Sequence, residues 1–293
     1  MKTIKNVLSV LLSLLILSAC VLTQVGCDAG GGGSAEPKVK LIDVALTEEE
    51  YAYVVKKGNA TLTSSLNAYL ASIKADGTFD ALVSAYFKGQ GDKHGYPVAT
   101  GTVVNDETNL VVATNCPFEP FEYIGNDGLA YGLDIEIAAG YAAAQGLTLI
   151  IKNIGFDDIF AQVDAGYADV GMAGITVSES RLEVYDFSDT YYNASQKLIV
   201  AASCTDFDGA ADADAVCAVL ASLSGKSIGY QFGTTGGMYI VGDDDWGFDG
   251  YPNITGVGYA TAQDAVNDLI NGNLYAVIVD EAPAAAIVAA VNK

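Results

Sequence analysis

The sequence is poor in basic residues, in histidine and in cysteine. Of its 293 residues, 14 are Lys or Arg and 36 are Asp or Glu, which gives a net charge of −22 at pH 7. Nucleic-acid binding needs a basic surface that neutralises phosphates, so this charge argues against it. The single histidine, His94, lies in a glycine-rich loop, and no Cys/His spacing typical of a zinc site occurs. We therefore expect no metal and no cofactor.

Disorder is excluded by an apolar fraction of 51%, and part of that fraction lies in a hydrophobic run near the start. Lys2 and Lys5 precede residues 7–19, which are apolar apart from three serines and too short to span a membrane comfortably. This pattern predicts a secretory signal peptide over 1–19. An uncleaved anchor or a buried segment is the alternative.

The end of that run resembles a bacterial lipobox. Small residues and Leu17 stand directly before Cys20, and this resemblance implies that Cys20 is acylated. Cys27 is a second candidate, without a leucine three residues before it. The glycine-rich residues that follow predict a flexible acylated linker over 20–37, and hence an extracytoplasmic protein held at the bacterial cell membrane.

Three cysteines remain: Cys116, Cys204 and Cys217. Disulfides persist outside the cytoplasm, and Cys204 with Cys217 would close a short polar stretch. The sequence fixes no distance between the two sulfurs, so a bridge and a pair of free thiols both stay open. Cys116 is expected to be a free thiol.

Apolar runs alternate with amphipathic stretches along the rest of the chain. The pattern predicts strands over 110–114, 148–152, 170–173, 227–231, 256–259 and 276–280, and helices over 133–145, 157–165, 235–241 and 261–270. Strand and helix alternate in this way twice. The sequence therefore predicts an α/β fold of two similar lobes, each with a mostly parallel sheet and helices on both faces.

Polar residues follow several of these strands. In open α/β sheets, ligands bind beyond the carboxyl ends of the strands. Those ends carry residues 115–118, 174–181, 231–236 and Asp280, a set with one cation, one anion and aromatic neighbours. Two facing lobes would bring them together in a cleft that suits a small ligand.

At these residues the chain resembles a known family. The motifs PFEY, GLDIE, AGITVSESR and DFSDTYY follow one another over about 90 residues, and GTTGG and VIVDEAP come later. Their order and spacing resemble the family 3 solute-binding proteins of amino-acid ABC transporters. The resemblance implies the two-lobed periplasmic-binding-protein type II fold, with a hinge between the lobes.

The order of segments departs from that family. Residues 51–59, 66–70, 76–78 and 86–87 resemble the family's C-terminal segment, yet they come first here. The resemblance therefore implies a circular permutation, which exposed termini lying close together would tolerate. A separate N-terminal helical domain is the alternative.

The permuted interpretation sets the domain boundaries. Lobe 1 is expected over 47–199, with a permuted segment at 47–88 and a joining loop at 89–109. Lobe 2 is expected over 200–293 together with 38–46.

The resemblance also implies how a ligand is held. Arg181 matches the arginine that binds the α-carboxylate of the ligand, a role that suits the two-pronged guanidinium. Gly174, Thr176 and Thr235 match residues that complete the contacts, and Asp280 matches the acid that holds the α-ammonium. From the residues alone, Arg181 would be a surface arginine at a helix start and Asp280 a helix N-cap.

The remaining matched positions concern the ligand side chain. Phe118 and Phe156 match residues that pack on it, although aromatic residues in such folds are more often plain core. Asn115, Gln231 and Val279 fall where the family varies with the ligand. None of the three is charged, so we expect a neutral ligand, polar and glutamine-like.

The expected function is capture of an amino acid between two closing lobes and its delivery to an ABC transporter permease, by a monomer without catalytic residues. An extracellular sensor domain for a partner receptor is one alternative. A dehydratase-like enzyme on the same fold is another.

Overall fold

A computed structural model describes residues 36–293. The predicted signal peptide, Cys20, Cys27 and the predicted linker up to residue 35 lie outside the described residues. Between residues 36 and 293, no helix combines the length and the apolar content that crossing a membrane requires.

The described chain alternates strands and helices. The strands are β1 (Val39–Ile42), β2 (Glu49–Tyr51), β3 (Val54–Lys56), β4 (Asn109–Thr114), β5 (Tyr123–Ile124), β6 (Ala130–Tyr131), β7 (Thr148–Asn153), β8 (Val170–Gly171), β9 (Tyr185–Phe187), β10 (Tyr192–Ala194), β11 (Gln196–Ala201), β12 (Lys226–Gln231), β13 (Ile254–Tyr259) and β14 (Ala276–Asp280). The helices are α1 (Ala60–Ala75), α2 (Thr78–Lys88), α3 (Leu133–Gln145), α4 (Phe156–Asp164), α5 (Glu179–Val184), α6 (Ala213–Ser222), α7 (Thr235–Val241), α8 (Ala262–Ile270) and α9 (Glu281–Val291). A 3₁₀ turn, Asp244–Trp246, follows α7.

The first lobe is built on a sheet with the strand order β7-β4-β8-β3-β9. β4 lies between β7 and β8 and runs parallel to both. β3 pairs antiparallel with β8 on one side and with β9 on the other, so Val54 faces both Gly171 and Phe187. Because β3 is an inner strand of this sheet, the early segment that contains β3 is part of this lobe. The alternative of a separate N-terminal helical domain is therefore wrong.

The second lobe is built on a sheet with the strand order β1-β11-β14-β12-β13. β12 runs parallel to both β13 and β14, whereas β11 and β1 are added antiparallel. Each sheet thus has four strands that run in one direction and one strand, β3 or β11, that runs in the opposite direction. The boundary predicted at residue 199 falls inside β11 and is wrong, since Gln196 to Ala201 belong to the second lobe throughout.

Two antiparallel strands connect the lobes. β2 leads from the second lobe into the first, and β10 leads back; Tyr51 pairs with Tyr192 and Glu49 with Ala194. These are the places where the described chain crosses between the two sheets. A short ladder of this kind lets the lobes rotate about a few backbone positions.

Local sequence explains where the helices begin and end. Asn59, Asp212 and Thr261 each accept a hydrogen bond from a backbone N–H in the first turn of the helix that follows. Gly89 and Gly146 end α2 and α3 with φ of 66° and 70°, a left-handed conformation that glycine adopts without strain.

The core of the first lobe unites the early helices with the sheet. Leu66, Leu70 and Ile73 of α1 are buried in one cluster with Leu110 of β4 and Ile137 of α3. Burying each such side chain stabilises the fold by about 1.5–3 kcal/mol. Residues far apart in the chain therefore share one core.

Two contacts fix the joining loop and the chain end. Glu136 of α3 accepts hydrogen bonds from Tyr86 and from the backbone and ring of His94, at 2.8–3.1 Å, and one from Tyr96 at 3.2 Å. At the opposite end of the chain, Asn292 Oδ1 accepts hydrogen bonds from the backbone of Lys38 and of Val39. The start of β1 and the end of α9 are thus neighbours.

The described cysteines are free thiols. Cys204 Sγ lies 3.8 Å from the Tyr275 hydroxyl, and Cys217 Sγ lies 3.1 Å from the Tyr239 hydroxyl. Each sulfur therefore faces a different tyrosine, and the structure has no bridge between Cys204 and Cys217. Cys116 is also free, as expected.

Candidate functional site

A small cavity lies between the lobes at the carboxyl ends of their parallel strands, and its free volume of about 10 Å³ has room for about one water molecule. Its walls include nine of the ten residues that the sequence singles out for ligand binding: Asn115, Phe118, Phe156, Gly174, Thr176, Arg181, Gln231, Thr235 and Asp280. Glu122, Ala173 and Thr234 complete the lining. A ligand larger than water therefore needs the lining residues to move apart.

Arg181 is the single arginine of the chain and lies in the first turn of α5. Ser178 caps this helix by accepting a hydrogen bond from the Arg181 backbone at 3.2 Å. One guanidinium nitrogen donates to the Thr176 carbonyl at 2.7 Å, and the other donates across the cleft to the Gly233 carbonyl at 3.2 Å. Burial lowers the pKa of Arg181 to about 10, partly opposed by nearby acids that include Glu49 and Asp280. The guanidinium therefore stays charged at neutral pH.

Asp280 faces the cavity from the second lobe. It occupies the N-cap position of α9, but its side chain makes no capping bond. Its Oδ1 instead accepts hydrogen bonds from the Tyr51 hydroxyl at 2.6 Å and from Gln196 Nε2 at 2.8 Å. Burial raises the pKa of Asp280 to about 7, and the charge of nearby Glu49 acts in the same direction. Asp280 is thus partly protonated near pH 7, and a cation placed beside it would favour its ionised form.

The two threonines approach each other across the cleft. Thr176 Oγ1 of the first lobe donates to Glu49 Oε2 at 2.7 Å, and Thr235 Oγ1 of the second lobe donates to Thr176 Oγ1 at 3.4 Å. Thr235 is the first residue of α7. The chain of Thr235, Thr176 and Glu49 therefore joins the second lobe to a hinge strand.

Gly174 closes the floor of the cavity in a conformation that suits glycine. Its φ is 53°, and a Cβ atom there would lie 2.6 Å from the Phe118 ring. Its backbone N–H donates to Asp134 Oδ2 at 3.1 Å, and the Tyr191 hydroxyl donates to the same oxygen at 2.9 Å. Burial raises the pKa of Asp134 to about 7, opposed in part by these hydrogen bonds. Asp134 of the GLDIE motif thus binds the loop that carries Gly174, and Tyr191 of the DFSDTYY motif binds Asp134.

A direct hydrogen bond between two amide side chains, one from each lobe, lies at the far end of the cavity. Gln231 Nε2 of the second lobe donates to Asn115 Oδ1 at 2.7 Å, while Asn115 Nδ2 donates to the Ile154 carbonyl at 2.6 Å. Phe118 is buried here and Phe156 lies beside the Arg181 guanidinium. Val279, also expected at this end, instead packs in the core of the second lobe.

Several residues of the site are not among those predicted from the sequence. Glu49, Tyr51 and Gln196 belong to the hinge region and surround Asp280 and Thr176. Glu122 lies within the PFEY motif and lines the cavity, yet neither of its carboxyl oxygens has a hydrogen-bond partner. Burial raises the pKa of Glu122 well above its usual range, with nearby Asp134 adding to the effect. Glu122 lies in the PFEY motif and Tyr51 begins the segment 51–59, but neither motif assigns its residue a role in the site.

Trp246 of the second lobe was also missed. Its ring centroid lies 5.1 Å from the Arg181 guanidinium carbon. In the part of the chain that the structure describes, no cluster of His, Cys, Asp or Glu has an arrangement able to hold a metal ion.

Comparisons with known proteins give a consistent picture. Residues 110–284 match the sequence profile of the bacterial extracellular solute-binding proteins, family 3. A probable histidine-binding protein of Neisseria gonorrhoeae is 33% identical over 89 residues, which cover 30% of this chain and 33% of that protein. The chain spans 33–44% of the length of the first curated relatives that it matches.

Solved structures match over a longer range. The holo arginine-binding protein ArgBP of T. maritima is 30% identical with a TM-score of 0.52, and the match covers 62% of this chain and 74% of that one. An ancestral arginine-binding protein bound to glutamine is 28% identical with a TM-score of 0.53, and the match covers 64% and 75%.

Proposed function

Since this chain belongs to the bacterial extracellular solute-binding proteins of family 3, we propose that its interlobe cavity captures a free amino acid. The observation that carries the proposal is the placement of Arg181 in the first lobe and Asp280 in the second, both lining one small cavity. A guanidinium can bind the α-carboxylate of the ligand, and a carboxylate can bind its α-ammonium. Both contacts form together only in the closed state, so the ligand favours closure.

The ligand side chain is proposed to be neutral and polar, as in glutamine. Asn115 and Gln231 offer amides at that end of the cavity, and the burial that raises the pKa of Glu122 disfavours the charged form of this carboxyl. Among the similar structures, one is an ancestral arginine-binding protein bound to arginine and another is an ancestral arginine-binding protein bound to glutamine. Arginine is therefore the competitor against which the proposal is to be tested.

Delivery to an ABC transporter permease is the proposed physiological role, with the chain acting as a monomer. Its support is the family and the names of two relatives, a probable histidine-binding protein and an arginine-binding extracellular protein. A sensor domain for a partner receptor and a dehydratase-like enzyme are the alternatives. An enzyme would convert the bound ligand, so recovery of unaltered ligand after long incubation is the outcome expected here.

Anchoring through acylated Cys20 is proposed from the sequence. The motif around Leu17 and Cys20 and the two lysines before it support this proposal. Mass spectrometry of the membrane-derived protein should then find a mature chain that begins at diacylated Cys20. A chain that begins elsewhere, Cys27 included, would contradict it.

A circular permutation of the family's segment order is proposed as well. It is supported by the contact of Lys38 and Val39 with Asn292, which would be chain neighbours in the unpermuted order. It is also supported by the inner position of β3 in the first lobe. The exposed loop at 89–93 is where the unpermuted chain would end.

The central test is a screen of the twenty protein L-amino acids by thermal shift, followed by calorimetry. A ligand of the native state raises the melting temperature, and glutamine is expected to bind more tightly than arginine. Arg181→Ala should weaken binding by about 2–5 kcal/mol, because it leaves the ligand carboxylate buried and unpaired.

Lys88→Ala is the matched control. It removes an exposed cation from the end of α2 in the same lobe. It should leave the affinity unchanged. Equal affinities of wild type and Arg181→Ala would remove the site assignment, and tighter binding of arginine would overturn the proposed ligand class.

A further inference from the structure

Aromatic rings from both lobes surround the guanidinium of Arg181. The ring centroid of Phe160, in the first lobe, lies 4.8 Å from the guanidinium carbon, and that of Trp246, in the second lobe, lies 5.1 Å from it. A cation within about 6 Å of an aromatic centroid is attracted by the ring, and tryptophan gives the strongest attraction. The contact with Trp246 exists only while the second lobe lies against the first.

The second lobe holds Trp246 in place for this contact. Asp243 and Phe248 form a tight bridge, with reciprocal backbone hydrogen bonds of 2.8 and 3.0 Å, and Trp246 lies on the turn between them. The Trp246 ring stacks on Phe248, whose ring in turn packs edge-on against Tyr239 of α7. The turn is thus a preformed support, tied to the helix that begins with Thr235.

The guanidinium edges remain available for hydrogen bonds. Two of its nitrogens donate to the carbonyls of Thr176 and Gly233, and each of these nitrogens carries a second N–H. Aromatic rings beside a guanidinium exclude water without consuming its donors. Contact with Trp246 therefore restricts the orientation of Arg181 without competing with a carboxylate for its N–H groups.

We propose that Trp246 is a positioning residue, which clamps the Arg181 guanidinium across the cleft and favours the closed, ligand-holding state. This inference rests on the proposed function, because closure on an amino acid is what the clamp would stabilise. Trp246 does not itself need to touch the ligand. Its effect should appear mainly as slower release, since the contact is lost when the lobes separate.

Trp246 is the single tryptophan of the chain, so its emission reports this contact directly. The probes are the twenty protein L-amino acids, screened first by thermal shift on the whole chain. With an amino acid that raises the melting temperature, tryptophan emission is expected to shift as the lobes close. Trp246→Leu should bind that amino acid roughly 2- to 30-fold more weakly, the range expected for loss of a partly desolvated cation–π contact.

Two variants separate positioning from a merely structural role. Trp246→Phe keeps a ring and should restore part of the lost affinity. Tyr167→Leu removes an exposed aromatic ring of the first lobe that lies outside the cavity lining, and it should leave the affinity unchanged. The melting temperature of ligand-free Trp246→Leu should match that of wild type, because this side chain is only partly buried.

The outcomes distinguish the two proposals. If no amino acid raises the melting temperature, the proposed function fails and the clamp fails with it. If an amino acid does so while Trp246→Leu binds it as tightly as wild type, the clamp alone is overturned. Equal losses in Trp246→Leu and Trp246→Phe, without a change in emission on binding, would also overturn it.

Discussion

Asp280 is a buried acid whose protonation opposes its proposed role. Its pKa of about 7 means that half of the ligand-free molecules hold a neutral Asp280 near neutral pH. Binding of an ammonium requires the ionised form. Affinity for an amino acid should therefore fall about tenfold between pH 8 and pH 6, as measured by calorimetry. Asp280→Asn should bind weakly and without this pH dependence.

The stability of the ligand-free protein should change with pH in the direction opposite to the ligand affinity. The pKa of Asp280 is about 7 in the folded state and near 3.8 in an unfolded chain, so the folded state binds its proton more tightly. The free energy of unfolding then falls as pH rises from about 4 to about 7. Asp134 contributes with the same sign. If the ligand affinity and the free energy of unfolding both rose or both fell with pH, the assignment of these effects to Asp280 would be contradicted.

The predictable residues of the site are those that lie in motifs. Arg181 and Asp280 could be named from the sequence because AGITVSESR and VIVDEAP carry them. Tyr51 and Gln196, which hold Asp280, lie 229 and 84 residues away from it and stand in no motif with an assigned role. Their contribution depends on how the hinge brings distant segments together, which local pattern does not encode.

At the scale of elements, the turn between β8 and α5 is where backbone conformation shapes the cavity. Gly174→Ala should weaken ligand binding and stability, because its Cβ would lie 2.6 Å from the Phe118 ring and 3.1 Å from the Tyr51 ring. A left-handed backbone adds a cost of about 1–2 kcal/mol. Chemical unfolding and calorimetry would measure the two effects.

Gly166→Ala is the matched control for this change. Gly166 has a similar φ of 74°, but a Cβ there would meet nothing within 4 Å. It should therefore lower stability by the backbone cost alone and keep ligand affinity. Equal affinity losses in both variants would show that the contact with Phe118 is unimportant.

Strands and helices of the repeated α/β units were predictable to within one or two residues at most of their ends. β4, α3, α7 and β14 illustrate this, since each is an apolar run or helical repeat bounded by polar or glycine residues. The antiparallel strands were harder. β9 has three partly buried residues, YDF, and becomes a strand only because β3 lies beside it. Its structure is set by tertiary pairing and not by its own sequence.

At the scale of the whole molecule, the segment order itself can be tested. A chain that runs from Asp92 to Lys293, then through a short linker to Lys38 and on to Gly91, restores the proposed ancestral order. It should fold and bind the same amino acid with similar affinity, because Lys38 already contacts Asn292 and residues 89–93 are exposed. Circular dichroism and calorimetry would measure both properties.

A second rearranged chain serves as the control. If the new chain termini were placed between Val54 and Val55, they would cut β3, an inner strand of the first sheet. This rearranged chain should fail to fold. If the chain opened at Gly91 is as unfolded as this control, the proposed permutation loses its support.

The neighbouring positions of Lys38 and Asn292 have a mechanical meaning. β1 belongs to the second sheet, so a tether attached before Lys38 would hold the second lobe as the stationary part. The first lobe, which carries Arg181 and the early helices, would then be the part that moves toward the tethered second lobe on closure. In the restored order the chain would begin and end in the first lobe, so the same tether would reverse which half travels.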